Sequence, residues 1–457
     1  MTRLLPLAFL SLLCLHAAAQ TIRVSTPAVL AAADSPAITI EGLPPHARVA
    51  LVAERVVIER GAPVRYRAGA DFVAGADGIV DLGRDAPVAG SYRGADVRGL
   101  FWSMVPIAGA AAATEAGVAR MTATVDGKPV ASRDLRFDQD DPQVQVEPVA
   151  AFPGAVFARP RTAGRRPVVI ALGGSEGGAR SARELAMRLA AHGFAAVGLP
   201  YYSPAAPGRT ERELPALPAS FVEIPVDRLN QVRDWLAARD DVDDGRIALY
   251  GVSKGAEFAL VAASRLTWLS AVVAIVPSDV VWQGWGQDAG ATGAGRSSFS
   301  FGGKPLPFVP NLGFQQELEG FRTGAPVRYR RPMEKGRAAF PQAALAARIR
   351  VEDFEGPMLV AGGGDDQMWD SGAMAQNIAE RRLEAGRPTV SLVFPDGGHM
   401  LNGTGWEPTT QYDAGVFKLG GTPEGNARAQ AEVWREALAF LHRALAADAN
   451  AALAARR

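Results

Sequence analysis

A serine stands between two glycines at Gly251-Val252-Ser253-Lys254-Gly255, after the apolar run 247–250 and before a helix-forming stretch. That setting suits a nucleophile. A sharp strand-to-helix turn lifts the hydroxyl clear of the backbone, and a side chain at either glycine would crowd the helix against the strand. The pentapeptide alone arises by chance in a glycine-rich chain, so its flanks decide. A serine nucleophile needs a base, and histidine is the usual one because it takes and returns a proton near neutral pH. Of the five histidines, His16 lies in an N-terminal apolar segment, His46 between prolines and a strand, and His442 within the terminal helical pattern. His192 precedes Gly193 at a helix end, where a histidine caps carbonyls. His399 remains, in Gly397-Gly398-His399-Met400 after the final strand-like run. A lone loop histidine is more often structural, but its place in the order serine, acid, histidine suits a triad. The acid comes from Gly362-Gly363-Gly364-Asp365-Asp366, where the Gly363 to Asp366 spacing favours Asp366 and leaves Asp365 in reserve. Either could instead cap the helix that follows Trp369. For the tetrahedral oxyanion the expected donors are the backbone N–H of Lys254 and one in the loop 173–178, chosen as Ser175. A phosphate cradle is the competing reading of that glycine loop, but no Gly-Lys-Ser/Thr ending follows and the spacing is not Gly-x-Gly-x-x-Gly.

Such residues need a scaffold that brings distant segments together. Apolar runs at 168–172, 195–199, 247–250, 271–276, 357–360 and 389–394 alternate with helical patterns over 180–192, 226–239 and 426–447. Buried strands alternating with helices predict an α/β fold, a mostly parallel sheet covered on both faces. Upstream, short β-prone runs at 37–40, 47–53, 79–82 and 119–125, punctuated by Gly, Pro and Asp, predict an antiparallel β-sandwich. The expected division is a sandwich domain at 21–140, a linker around 139–150 and a catalytic domain at 146–447. Segment 279–347 fits neither period and carries Trp282, Trp285, Phe299, Phe301, Phe308 and Phe314. It is a lid, a pocket wall or an ordinary packed insertion.

The chain of 457 residues suits two domains, and its 48 basic and 48 acidic residues cancel, so no global field argues for nucleic acid. Arg3, the apolar residues 4–15 and then Ala17-Ala18-Ala19-Gln20 predict a signal peptide over 1–20, cleaved after Ala19 or Gln20, and hence a periplasmic or secreted protein. That segment is too short for a membrane span, and no later run approaches about 18 uninterrupted apolar residues. Cys14 is the only cysteine, so the processed chain would hold neither a disulfide nor a cysteine nucleophile. Bulky Leu13 argues against lipid attachment at Cys14. No paired His or Cys stands at metal-site spacing, so no metal or cofactor is expected.

In these motifs the chain resembles the acyl-CoA thioesterase and bile acid-CoA:amino acid N-acyltransferase family. The resemblance lies in Ala76-Asp77-Gly78-Ile79-Val80-Asp81-Leu82, Gly90-Ser91-Tyr92-Arg93-Gly94 and Gly99-Leu100-Phe101-Trp102-Ser103-Met104 near the N-terminus. It continues through Gly251-Val252-Ser253-Lys254-Gly255-Ala256-Glu257, Asp365-Asp366-Gln367-Met368-Trp369 and Gly398-His399-Met400. It implies an α/β-hydrolase behind an N-terminal sandwich, acting on acyl thioesters through a covalent acyl-enzyme. The family's thioesterases carry serine at the elbow and its conjugating branch carries cysteine, so Ser253 points to water as acceptor. Arg328, Arg330 and Arg331 are the basic residues nearest to a phosphate-binding cluster, and surface charge is their plainer reading. The expected substrate is a small acyl thioester or ester. A secreted esterase or amidase, and a binding protein with a vestigial triad, are the rival readings. The sequence does not specify an oligomeric state.

Overall fold

The apolar runs of the longer C-terminal part become neighbours in one eight-stranded sheet. The structure, a computed structural model, describes residues 20–24, 36–59, 62–108, 117–137, 141–205, 209–286 and 295–446. Residues 1–19 of the expected signal segment, with Arg3, Cys14 and His16, lie outside the described residues. The strands are β1 (Val144–Pro148), β2 (Val156–Pro160), β3 (Arg166–Leu172), β4 (Ala195–Gly198), β5 (Val242–Val252), β6 (Ala271–Ile275), β7 (Met358–Gly363) and β8 (Thr389–Phe394). Their order is β1-β2-β4-β3-β5-β6-β7-β8, with the β1–β2 and β2–β4 pairs antiparallel and every other pair parallel.

The central strands are apolar on both faces because both are covered. Val169 and Ala171 point toward α1 (Arg180–Ala191) and the last helix, while Val168, Ile170 and Leu172 point toward α2 (Leu229–Ala237), α3 (Lys254–Ala263) and α4 (Ser371–Glu384). The last helix, α5 (Pro423–Ala444), starts three residues before its predicted position, since Thr422 caps it by accepting from the Gly425 N–H at 2.9 Å and Pro423 occupies the first turn. The predicted linker is corrected at 144–148. Those residues form β1, paired with β2, and a catalytic domain starting at 146 would cut that strand. An edge strand of sequence Val-Gln-Val-Glu-Pro is only half apolar, so it left no apolar run to notice.

The N-terminal strands are all antiparallel. Arg48–Glu59 pairs with both Ala62–Val73 and Val118–Val125, and the latter with Lys128–Arg136. A second small sheet joins Thr21–Val24, Ile38–Glu41 and Val80–Asp81. Ile38, Ile40, Val49, Leu51 and Phe72 fill the space between them. The described residues of segment 279–347 form a packed insertion and also a wall. Phe299–Phe301 pairs with Ile224–Pro225, and Trp282, Val309 and Met333 pack on Trp369 and Met374 of the main body. Among the described residues no helix is long and apolar enough to cross a membrane.

Candidate active site

Ser253 sits between β5 and α3 with φ 55° and ψ −118°, a backbone state that costs about 1–3 kcal/mol for a non-glycine residue. Its N–H donates to Ile275 O at 2.9 Å, and its carbonyl accepts from Ala256 and Glu257 N–H at 2.9 and 3.0 Å. These bonds hold the turn. The flanking glycines are required by contact: a Cβ at Gly251 would lie 2.1 Å from Gly255 O, and one at Gly255 would lie 2.3 Å from Gly173 O.

The structure brings Ser253, His399 and Asp366 together. Ser253 Oγ is 2.9 Å from His399 Nε2, and His399 Nδ1 is 2.8 Å from Asp366 Oδ2. Asp366 is fully buried, while Ser253 and His399 are each 7% exposed. An ionised carboxylate only accepts, so Asp366 orients Nδ1–H and leaves the Nε2 lone pair facing the serine hydroxyl. Its other oxygen accepts the Met368 and Trp369 N–H groups at 2.8 and 3.3 Å. The Trp369 ring stands edge-on to the imidazole at 5.2 Å, and its Nε1–H donates to Val276 O at 3.2 Å. Asp365 points elsewhere, accepting from Gly421 N–H at 2.8 Å and Gln367 Nε2 at 2.6 Å. Neither aspartate caps α4; that is Asp370, which accepts from Ala373 N–H. Of the other histidines, His192 Nδ1 lies 2.8 Å from Arg188 O and His442 packs on Phe194.

The loop 173–178 runs against Ser253, for a Cβ on Gly174 would come 3.3 Å from Ser253 Cβ. Glu176 occupies the Gly174 N–H at 3.0 Å. The N–H of Lys254 heads α3, and among the described residues no backbone carbonyl accepts it. Ser175 and Lys254 line a cavity of about 810 Å³ whose far wall is supplied by the insertion, through Gln283, Trp285, Phe314, Tyr329 and Met333.

Sequence reasoning missed what the Lys254 side chain does. It turns inward, 1% exposed, with Nζ 2.5 Å from Glu257 Oε2 and 2.9 Å from Ser298 Oγ. Phe221, Trp285 and Phe299 present their ring faces to it at 5.0–5.5 Å. Burial pulls the Lys254 ammonium below the usual lysine range and pushes the Glu257 carboxyl above the usual carboxylate range, each opposed by the other's charge. Glu257 also accepts the Trp282 N–H at 3.0 Å, and Ser298 donates to Trp282 O at 2.8 Å. The pair therefore fastens the insertion to the elbow helix. A charged Lys-x-x-Glu inside an apolar helix was the available signal. Arg330 is likewise committed, bound to Glu334 and Asp370 at 2.6 Å and to Asp366 O at 3.2 Å, and Arg331 reaches Glu317 at 3.4 Å.

Two family profiles match separate parts of the chain. The BAAT / acyl-CoA thioester hydrolase C-terminal profile matches residues 229–447, which hold Ser253, Asp366 and His399, and the acyl-CoA thioester hydrolase/BAAT N-terminal region matches 34–135. The chain belongs to this acyl-CoA thioester hydrolase/BAAT family. Human acyl-coenzyme A thioesterase 6 is 27% identical over 437 residues, covering 89% of this chain and 93% of that protein. Mouse acyl-coenzyme A thioesterase 1 is 26% identical over 439 residues, 91% of this chain and 94% of its own. A dienelactone hydrolase profile overlaps at 154–283. Among solved structures, a putative dienelactone hydrolase from Klebsiella pneumoniae covers 65% of this chain and 98% of its own, at 17% identity and a TM-score of 0.38. As a member of this family the chain is an enzyme, a thioesterase-like hydrolase with an α/β-hydrolase fold, which sets aside the binding-protein reading.

Proposed function

We propose that this hydrolase cleaves acyl thioesters of the coenzyme A type through an acyl-serine intermediate. The observation that carries the reading is the buried relay from Ser253 through His399 to Asp366, at 2.9 and 2.8 Å, beside a cavity large enough for an acyl group. Ser253 Oγ attacks the acyl carbonyl while His399 Nε2 takes its proton, and Asp366 stabilises the resulting imidazolium. The Lys254 N–H and the loop bearing Ser175 donate to the oxyanion. Collapse expels the thiolate, which receives the proton from His399. His399 then deprotonates a water that attacks the serine ester, and the free acid leaves. A serine ester is less activated toward amines than a thioester-linked acyl group, which supports water as acceptor.

An ester hydrolase is the second reading. It is favoured by the engagement of Arg330 and Arg331 with carboxylates, which leaves the basic run at 328–331 poorly suited to CoA phosphates. The apolar segment after Arg3 supports export, and a secreted or periplasmic product whose N-terminus begins near Thr21 would establish it; an intact Met1 would refute it.

The deciding experiment follows thiol release from medium- and long-chain acyl-CoAs, with an aryl-ester control, for wild type and Ser253→Ala. Thiol release that falls by about 10³-fold or more in the variant is expected. Ester hydrolysis without thiol release would favour the second reading, and equal rates in both proteins would overturn the Ser253 assignment.

A further inference from the structure

The N-terminal motif Gly99-Leu100-Phe101-Trp102-Ser103-Met104 lies far from Ser253 in sequence and supplies no group to the relay. Its short helix, Gly99–Trp102, is fully buried, and what it receives is a residue from the other domain. Trp406, on the segment that leaves His399, is 0% exposed and belongs to the sandwich core. Its ring packs on Phe101 at 5.2 Å and Phe137 at 6.0 Å, with the Arg98 guanidinium 5.1 Å above it. The backbone on either side is tied as well. Arg98 donates to Thr404 O at 3.1 Å, Arg55 to Trp406 O at 3.1 Å, Thr409 N–H to Trp102 O at 3.1 Å and Thr410 to Met104 O at 2.5 Å.

The same segment returns to the relay. His399 N–H donates to Leu419 O at 2.8 Å, and Gln367 N–H, next to Asp366, donates to the same carbonyl at 3.4 Å. Gly421 N–H donates to Asp365 at 2.8 Å, and Asn426 bridges Gly398 N–H and Gly420 O at 2.8 and 3.0 Å. Both the base and the acid loop thus rest on residues 419–421, the far end of a segment whose near end is keyed into the sandwich.

We infer that the sandwich acts as a brace for the catalytic histidine, with Trp406 as the positioning residue that transmits it; this rests on the triad reading above. An indole filling a closed aromatic seat fixes the segment at 406, and the hydrogen bonds at 419–421 carry that position to His399. Small displacements of a base from its nucleophile lower turnover more than binding.

Trp406→Ala tests this with three readouts: kcat and KM on the substrate the wild type turns over, the labelling rate of Ser253 by a serine-directed phosphonate, and the pH dependence of kcat/KM. The expected result is a folded protein whose kcat and labelling rate fall together by about 10- to 100-fold, with KM changed less than about twofold, an altered pH profile, and recovery of most of the loss by Trp406→Phe. A folded Trp406→Ala with both rates within about twofold of wild type, or with a loss in KM alone, would overturn the inference. Should Trp406→Ala not fold, Arg98→Met and Thr409→Val, the latter removing a hydroxyl that donates to Trp102 O at 3.3 Å and Pro423 O at 2.7 Å, are judged by the same criteria. Wild-type protein that the phosphonate does not label would overturn the triad reading, and this inference with it.

Discussion

Asp366 meets His399 across the C-terminal ends of two adjacent parallel strands, β7 and β8, and it does so with one oxygen only. The other oxygen closes a turn on Met368 and Trp369. Asp366→Asn keeps an oxygen for that turn but presents an amide that favours the wrong imidazole tautomer. The variant is expected to fold and to lose about 10⁴-fold in kcat. Asp365→Asn, whose partners are Gly421 and Gln367, is expected to change kcat by less than about threefold. Steady-state kinetics on the two variants decides between the neighbours, and equal losses would contradict the geometry.

Glu257 is the only carboxylate that faces the buried Lys254 among the contacts described. Glu257→Gln leaves an ammonium buried without a counter-charge, and a loss of about 3–5 kcal/mol at pH 7 is expected. The sign of the pH dependence follows from burial. In the folded variant Lys254 holds its proton more weakly than in the unfolded chain, where its value is about 10.5, so the unfolded state binds more protons and stability rises as pH climbs toward that value. Urea denaturation at pH 7 and at about pH 9.5 should show the deficit shrinking. A deficit independent of pH would mean that the charge is not its cause. Replacing both residues, as Lys254→Met with Glu257→Gln, which keeps an oxygen for the Trp282 N–H, should recover most of the stability.

Gly255→Ala places a methyl group 2.3 Å from Gly173 O and 2.5 Å from Leu172 O, both backbone atoms of the strand and loop beside Ser253. The collision must separate the elbow from the loop bearing Ser175. A loss of about 1–3 kcal/mol in stability is expected for this buried position, together with a fall in kcat larger than that of an Ala substitution on the exposed surface. Thermal denaturation and kcat measured on the same preparation check it, and a variant with wild-type kcat would show that the loop does not contribute to the oxyanion site.

The residues proposed to bear the chemistry were legible because chemistry restricts residue type. Ser253 lies in a pentapeptide whose glycines are dictated by a turn, His399 was isolated by elimination among five histidines, and Asp366 follows a glycine run at a strand end. Strands that are buried on both faces announce themselves as apolar runs, so β3 to β7 were visible, and the half-buried edge strand β8 showed by its Val, Leu and Phe, whereas β1, an edge strand of mixed polarity, was absorbed into a linker.

What the sequence by itself determined is therefore local: periodicity set the layers, and the spacing of Gly, Ser, Asp and His set the candidate chemistry. Only the tertiary structure decided which aspartate faces the imidazole, that Lys254 turns inward to fasten the insertion, and that Trp406 crosses into the sandwich. The physical reason is range. Periodicity and turn chemistry act over a few residues, but a hydrogen bond or a buried ring is specified by the partner it meets, and Arg55 meets Trp406 across 351 positions of chain.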